Sequence, residues 1–359
     1  MASGTNVAVI ATVRNEVATI DELLRSLLAG HRLPDEIVIV DAGSDDGTLG
    51  ELQHWAAREP RLTVLTHPGC GRSEGRNAAI AAATAPWIAV TDGGVRLAPG
   101  WLEALLGPVE QTSEAPPDVV SGFFRSAPRT PFELALGAIT LPTSREIRPG
   151  NFLPSSRSVL FSRRAWAAAG GYPAWLDYGE DLVFDLALRR AGARFAWAPR
   201  AMAQFRPRRT ITAFFQQYYC YARGDGKALL WPRRHAIRYG SYATLLLLLL
   251  FSLHPATRRL RRPACAVVAA GAAAYLRAPY CRLLSPEDPA SLAVVWRHNW
   301  QTLAWLPVLR ATGDLAKMLG YPAGRLWRLR HRADVPRDPT APHHMLQMAG
   351  GHTVTEPPA

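Results

Sequence analysis

Between residues 5 and 92, short unbroken apolar runs alternate with amphipathic stretches. "NVAVIAT", "DEIVIVD", "RLTVLT" and "WIAVTD" read as strands, while "TIDELLRSLLAG", a segment from about Asp46 and "SEGRNAAIAAAT" read as helices. Strands without polar alternation are covered on both faces, and strands that alternate with helices build a mainly parallel sheet. That pattern predicts an α/β fold. Ligands of such sheets bind beyond the carboxyl ends of the strands. Those ends carry Thr12 to Glu16, Asp41 to Asp45, and Asp92, and the pattern predicts that they meet in one cleft.

Residues 98–200 read as a second half of the same domain. It holds a helix at "PGWLEALLGPVEQ", a strand at "DVVSGFF", an irregular stretch with several prolines, a strand at "SVLFS" and a helix at "EDLVFDLALRRAG". A further helix at "TITAFFQQYYCYARG" leads to two apolar segments, 239–256 and 263–276. The formal net charge of +12 is unevenly placed: residues 1–199 hold 18 basic against 22 acidic side chains, and residues 200–332 hold 22 against 4. The basic block is interleaved with apolar runs, Trp and Tyr, which suits an anionic membrane surface and argues against nucleic acid as a partner. The apolar segments, 18 and 14 residues long, fall short of the roughly 20 needed to span a bilayer. With "TRRLRR" between them, the positive-inside tendency favours a shallow hairpin over two spanning helices. "SLAVVWRHNWQTLAWLPVLR" and "GRLWRLRHR" read as interfacial helices, and the tail 333–359 as disordered. The four scattered cysteines form no CxxC pair, and no leader precedes the first strand, so reduced thiols in the cytoplasm and no zinc site are expected.

Three phrases in order, "VIATVRNEVATIDELLRSLLAGHRLPDEIVIVDAGSDDGT", "GRNAAIAAATAPWIAVTDGG" and "GGYPAWLDYGEDLVFDLALRRAG", resemble the family 2 glycosyltransferases over residues 5–225. The resemblance implies a Rossmann-like A-type glycosyltransferase fold, here followed by C-terminal membrane-associated helices. It also implies an inverting enzyme that moves a sugar from a nucleotide-diphospho-sugar to a lipid-linked or cell-envelope glycan acceptor at the cytoplasmic membrane, with the catalytic domain in the cytoplasm. The expected domains are 1–226 (a nucleotide half 1–97 and an acceptor half 98–226), a basic apolar membrane-associated region 227–332, and the tail.

By the same resemblance, Thr12, Asn15, Glu16, Asp41, Arg76 and Asp92 are donor-binding. Asp181 is the base that deprotonates the acceptor hydroxyl, with Glu180 beside it. Residue by residue, a blander role stays open: Asp41 and Ser44 start a turn, Asp45 or Asp46 caps the next helix, and Glu180 and Asp181 cap theirs. Asp92 matches the first acid of the family's DxD motif, and Gly94 stands where the second, metal-binding acid belongs. Either Mg2+ or Mn2+ is held by Asp92 with another carboxylate, or the enzyme works without metal. In the second case arginines meet the diphosphate, with Arg208 and Arg223 the candidates among Arg206, Arg208, Arg209 and Arg223, and "RGDG" (223–226) a hinge that closes over the donor. Asn151, Ser155, Ser156 and Arg157 fall on the acceptor side, where Trp175 and Tyr178 either stack on a sugar or pack in the core. Two rivals remain: a nucleotidyltransferase, and a non-catalytic membrane-bound nucleotide-sugar binder.

Overall fold

The structure, a computed structural model, describes residues 5–111, 115–253, 259, 261–284 and 299–341. The N-terminal half contains β1 (Val7–Val13), α1 (Ile20–Leu28), β2 (Glu36–Asp41), α2 (Thr48–Ala56), β3 (Leu62–Thr66), α3 (Arg72–Ala82) and β4 (Trp87–Val90). After it come β5 (Val95–Leu97), α4 (Trp101–Glu110), β6 (Val119–Ser126), α5 (Pro131–Thr140), β7 (Val159–Ser162), α6 (Arg163–Ala169), α7 (Glu180–Arg190), β8 (Phe195–Phe205) and α8 (Ile211–Lys227). The C-terminal helices are α9 (Pro232–Leu253), α10 (Arg261–Leu284) and α11 (Asn299–Arg330).

All eight strands form one sheet in the order β3-β2-β1-β4-β7-β6-β8-β5. The first four pair in parallel, as their unbroken apolar sequences require. Beyond β4 the sheet turns mixed: β7 is antiparallel to β4 and β6, β8 is parallel to β6, and β5 is antiparallel to β8. The expected mainly parallel sheet is thus confined to the nucleotide half. The strand order reverses between β1 and β4, and a crevice opens beyond such a switch point. Buried side chains cover both faces, Leu23, Trp101 and Leu105 on one and Ile80, Phe161 and Phe184 on the other.

Two elements escape the sequence pattern. Pro199 interrupts β8, which a proline argues against; it lies in the gap of a register shift, since β6 pairs with Phe195–Trp197 and resumes at Met202. Helix α5 begins at Thr130, whose hydroxyl accepts the Glu133 N–H at 3.2 Å, with Pro131 in the first turn. It is buried nearly all round, so it lacks the one-sided stripe that marks a surface helix.

The C-terminal helices are not uniformly peripheral. Phe132 and Leu136 of α5, Phe214 of α8, Leu283 of α10 and Leu306 and Leu309 of α11 share one cluster. The boundary drawn after residue 226 falls inside α8, and "RGDG" is helical throughout, not a hinge. Its glycines serve close packing. A Cβ at Gly226 would lie 2.3 Å from the Tyr321 carbonyl oxygen, one at Gly320 2.2 Å from that of Tyr219, and one at Gly324 2.0 Å from that of Arg223. Helices α8 and α11 therefore meet backbone to backbone. The segments read as interfacial become, from Asn299, part of one 32-residue helix with Leu306, Leu309 and Ala316 buried; residues 291–298 lie outside the described residues. Of the tail, 333–341 is described and touches α7 through an Asp338–Arg190 ion pair; 342–359 lies outside.

The two apolar segments exchange ranks. Helix α10 takes in 24 residues and, among the described residues, is the one helix long and apolar enough to cross a membrane. Helix α9 exposes Leu246, Leu247, Leu249, Leu250 and Phe251 at 47–58%.

Two outcomes follow for stability. Gly324→Ala should lower it by about 1–3 kcal/mol through overpacking, whereas Gly240→Ala, in α9 with nothing near its missing Cβ, should raise it by about 0.4–1 kcal/mol; thermal unfolding by circular dichroism reads both. Asp185 of α7 is buried with Oδ2 unpartnered among the described residues, and burial first, then Asp181, pushes its carboxyl well above the ordinary range against the pull of Arg189. A raised acid binds its proton more tightly in the folded state, so its cost is absent below the ordinary carboxylate range and grows as pH rises. Asp185→Asn should gain melting temperature relative to the parent as pH climbs from about 4 to 8. A flat difference would show Asp185 to be an ordinary acid.

Candidate active site

The loop after β1 and the loop after β2 are stitched together. Asn15, in the left-handed region at φ 57°, donates its N–H to Ser44 Oγ at 2.9 Å, and its Oδ1 accepts the Asp45 N–H at 3.0 Å. The Glu16 N–H reaches Thr48 Oγ1 at 2.8 Å, and the Val17 N–H reaches Asp46 Oδ2 at 3.1 Å. Asp46 also accepts the Thr48 N–H at 3.0 Å, but the residue that caps α2 is Gly47, so the capping role weighed for Asp46 is not the one it plays. Asp41, 1% exposed, accepts the Gly43 and Ser44 N–H groups at 3.1 and 3.0 Å and the Ser44 hydroxyl. It builds the turn, and a carboxylate's four lone-pair sites leave it capacity for a further donor.

Helix α3 approaches β1 so closely that a Cβ at Gly75 would lie 2.4 Å from Thr12 Cγ2, and the buried Thr12 hydroxyl has no partner among the described residues. One position on, α3 delivers Arg76, 3% exposed. Its Nη1 donates to Glu180 Oε1 at 2.8 Å and its Nη2 to Asp92 Oδ1 at 3.1 Å, with the guanidinium 5.2 Å above the Tyr172 ring. One buried cation thus joins the end of β4 to the start of α7. Burial opposes its charge, but Glu180 and Asp92 more than compensate and hold it above the usual arginine value.

Arg157 faces Asp92 from the other side, Nε to Oδ2 at 3.6 Å, with its guanidinium 4.6 Å over Phe205 and 5.5 Å over Phe124. Burial would raise the Asp92 carboxyl, but Arg157, Arg76 and Arg72 hold it below the ordinary range, so it stays ionised. Glu180 is pushed up by burial and by Asp181 against the pull of Arg76. Asp181 itself is half-buried in the first turn of α7, where Oδ1 accepts the Leu182 N–H at 2.9 Å.

A side chain at Gly94 would enter space beside Glu16, its Cβ 3.4 Å from Oε2. Burial pushes the Glu16 carboxyl up, helped by Asp92 and Asp46, while the Thr19 hydroxyl at 2.5 Å and the exposed Arg208 pull it down. The structure therefore places Glu16, Arg76, Asp92, Glu180 and Asp181 near one another, with Arg208 close enough to act on Glu16. Arg223 stands apart: its Nη2 donates to Asp177 Oδ2 at 2.8 Å, and Lys227 meets the same carboxylate at 2.9 Å. Arg157, read from sequence as an acceptor-side residue, turns out to flank Asp92. No local pattern could have revealed that, because the pair forms only when β4 and β7 are neighbours.

Residues 8–156 match the sequence profile described as Glycosyl transferase family 2. The succinoglycan biosynthesis protein ExoA of Rhizobium meliloti is 26% identical over 239 residues, 64% of this chain and 71% of that protein. The pre-mycofactocin glycosyltransferase of Mycobacterium tuberculosis is 31% identical over 208 residues, 55% of this chain and 42% of its own length, so the chain spans less than half of that relative. In fold, the chain is similar to a mannosyltransferase from Pyrobaculum calidifontis solved in complex with GDP-Man and Mn2+, with a TM-score of 0.52 at 20% identity over 91% of this chain and 88% of that one. The profile match over residues 8–156 and the similarity to a mycobacterial glycosyltransferase together support a transferase that moves glycosyl groups.

Proposed function

We propose that the enzyme is an inverting glycosyltransferase that takes a sugar from a nucleotide-diphospho-sugar and delivers it to an acceptor at the cytoplasmic face of a membrane. The observation that carries this reading is the buried Arg76 bridge, which sets the carboxylate at the nucleotide-side strand end and the acids at the start of α7 on one cation. In this reading Asp181 takes the proton from the acceptor hydroxyl. The acceptor oxygen bonds to the anomeric carbon on the face opposite the leaving group while the bond from that carbon to the diphosphate oxygen breaks, and the nucleoside diphosphate departs. Thr12, Asn15, Glu16 and Asp41 line the donor end.

The residues at Asp92 do not fit a metal held between two acids. Both of its oxygens face guanidinium groups, Gly94 contributes no ligand, and among the described residues no group of three His, Cys, Asp or Glu side chains is placed to hold an ion. Arg76 and Arg157 instead supply fixed positive charge, which a departing diphosphate requires and which guanidinium groups, being always protonated, provide at any working pH. Arg208 adds charge at the edge, and Arg223, spent on Asp177, adds least.

Membrane association rests on the exposed apolar residues of α9, the length of α10 and the positive charge of residues 200–332. The names of the Rhizobium and mycobacterial relatives, a polysaccharide biosynthesis protein and a glycosyltransferase, are in keeping with a glycan-building role.

If Asp181 is the base, Asp181→Asn should keep nucleotide affinity while transfer falls by about 10²–10⁴; assays with UDP-, GDP- and dTDP-sugars and a lipid extract as acceptor measure it, and near-normal turnover would remove Asp181 from the reaction. Transfer should persist in EDTA within about twofold of its rate with added Mg2+ or Mn2+, whereas Arg157→Gln should cost about 10²–10³ in kcat, the usual loss for one charge-stabilising group. Complete loss in EDTA with rescue by Mn2+, and little effect at Arg157, would return the diphosphate to a metal.

A further inference from the structure

Arg157 carries one of the two fixed charges that the transfer reading assigns to the diphosphate, yet it lies on no helix or strand. It occupies the turn before β7, where its carbonyl oxygen accepts the Thr91 hydroxyl at 3.1 Å. That bond fixes the backbone beside Asp92 and leaves a long side chain to be placed by other means. Phe205 and Phe124 offer the guanidinium aromatic surface, a contact that attracts the cation without fixing which way its N–H groups point. At 3.6 Å the Arg157–Asp92 pair is an ion pair too long for a hydrogen bond. Direction comes from two hydroxyls: Nη1 donates to Ser155 Oγ at 3.2 Å, and the guanidinium also donates to the Tyr221 hydroxyl of α8.

Tyr221 is itself held on several sides. Its oxygen accepts from Gln217 Nε2, one turn earlier on α8, at 2.8 Å. Its ring stands edge-on to Tyr178 at 6.0 Å and to Tyr218 at 5.7 Å. Three residues on, Gly224 is pressed so closely against the Tyr178 carbonyl that an added Cβ would lie 2.0 Å from its oxygen, which leaves α8 no room to shift towards α7. The hydroxyl is thus a fixed point between Arg157 and the turn that leads into Glu180 and Asp181. Burial opposes the charge of Arg157, but Asp92, then Tyr221, more than compensate and hold it above the usual arginine value, with Asp181 acting in the same direction.

We infer that Tyr221 is a positioning residue, which holds the Arg157 guanidinium so that its remaining N–H groups meet the departing diphosphate. The inference rests on the glycosyl-transfer reading and adds α8 to the parts that reading needs. A guanidinium binds phosphate oxygens through a rigid fork of donors, and the fork is useful only when it is aimed. Without the phenol oxygen the side chain keeps its charge and its aromatic contacts but turns more freely about its outer bonds. Part of the benefit of a preorganised charge is then lost to the ordering of that side chain when the diphosphate binds.

The test uses the full-length protein, with the tightest-binding of UDP, GDP and dTDP and the matching monophosphate as probes. Calorimetry gives the preference for diphosphate over monophosphate. Arg157→Gln should cut that preference about thirtyfold, the scale of one charge-assisted contact, and Tyr221→Phe about fivefold, the scale of one hydrogen bond. With both changes together the cut should stay within about twofold of Arg157→Gln alone, because a residue that acts through the guanidinium has nothing to act on once it is gone. Unchanged monophosphate affinity reports an intact fold in each variant. Losses that multiply in the double variant, to about 150-fold, would overturn the proposal, since a hydroxyl that touched the diphosphate itself would still be missed without the arginine. A merely structural role would lower both affinities of Tyr221→Phe together and leave its preference unchanged, which would overturn the proposal too. Preference lost in Arg157→Gln but kept in Tyr221→Phe would sink the positioning role and leave the arginine reading standing, whereas preference kept in both would take that reading down with it.

Discussion

The acids at the end of β4 and the start of α7 are arranged around one buried cation. Arg76 lies almost wholly out of water, and the idealised cost of dehydrating such an ion is met only when its partners are close and well aligned. Asp92 and Glu180 satisfy that condition from opposite halves of the sheet. Replacing either acid by a neutral group would leave an undercompensated charge in the interior, a loss of about 3–5 kcal/mol in comparable pairs. The bridge is therefore a poor source of net stability but a strict register mark, since the two halves can close only where both acids reach the same guanidinium.

The same bridge explains how the site works with one acid at the end of β4. A second carboxylate there would project towards Glu16, which burial and Asp92 already hold above the ordinary range. With Gly94 in that place, Asp92 is the one carboxylate at the end of β4, and Arg76 and Arg157 both face it while Arg72 adds to the field.

How much of this was legible in the sequence depends on the range of the forces involved. The parallel half of the sheet is encoded locally, because unbroken apolar strands and one-sided helices have only one way to hide their surfaces. The placement of Asp92 just beyond β4 and of Glu180 and Asp181 at the start of α7 was also legible, since the pattern of both elements is clear. The rest depends on contacts between distant segments. Arg157 comes beside Asp92 only through the β4–β7 pairing. The strand β8 was hidden by Pro199, which a register shift tolerates and a sequence pattern does not. The glycines of "RGDG" look like freedom in one dimension and are constraint in three, because Gly226 meets Tyr321 far downstream and Gly224 meets Tyr178 far upstream.

That constraint carries the C-terminal helices into the chemistry. Gly224 of α8 is pressed against the Tyr178 carbonyl, where an added Cβ would lie 2.0 Å away. Tyr178 leads directly into Gly179, whose left-handed φ of 81° sets the start of α7 and so the direction of Asp181. On its other flank α8 is fixed by Gly320 and Gly324 of α11 with no slack for a methyl group. A displacement of α11 therefore has nowhere to be absorbed before it reaches the turn that carries Asp181, since packed backbones transmit strain where flexible side chains would dissipate it. The backbone-to-backbone contacts thus run without a break from α11 through α8 to the turn that precedes Asp181.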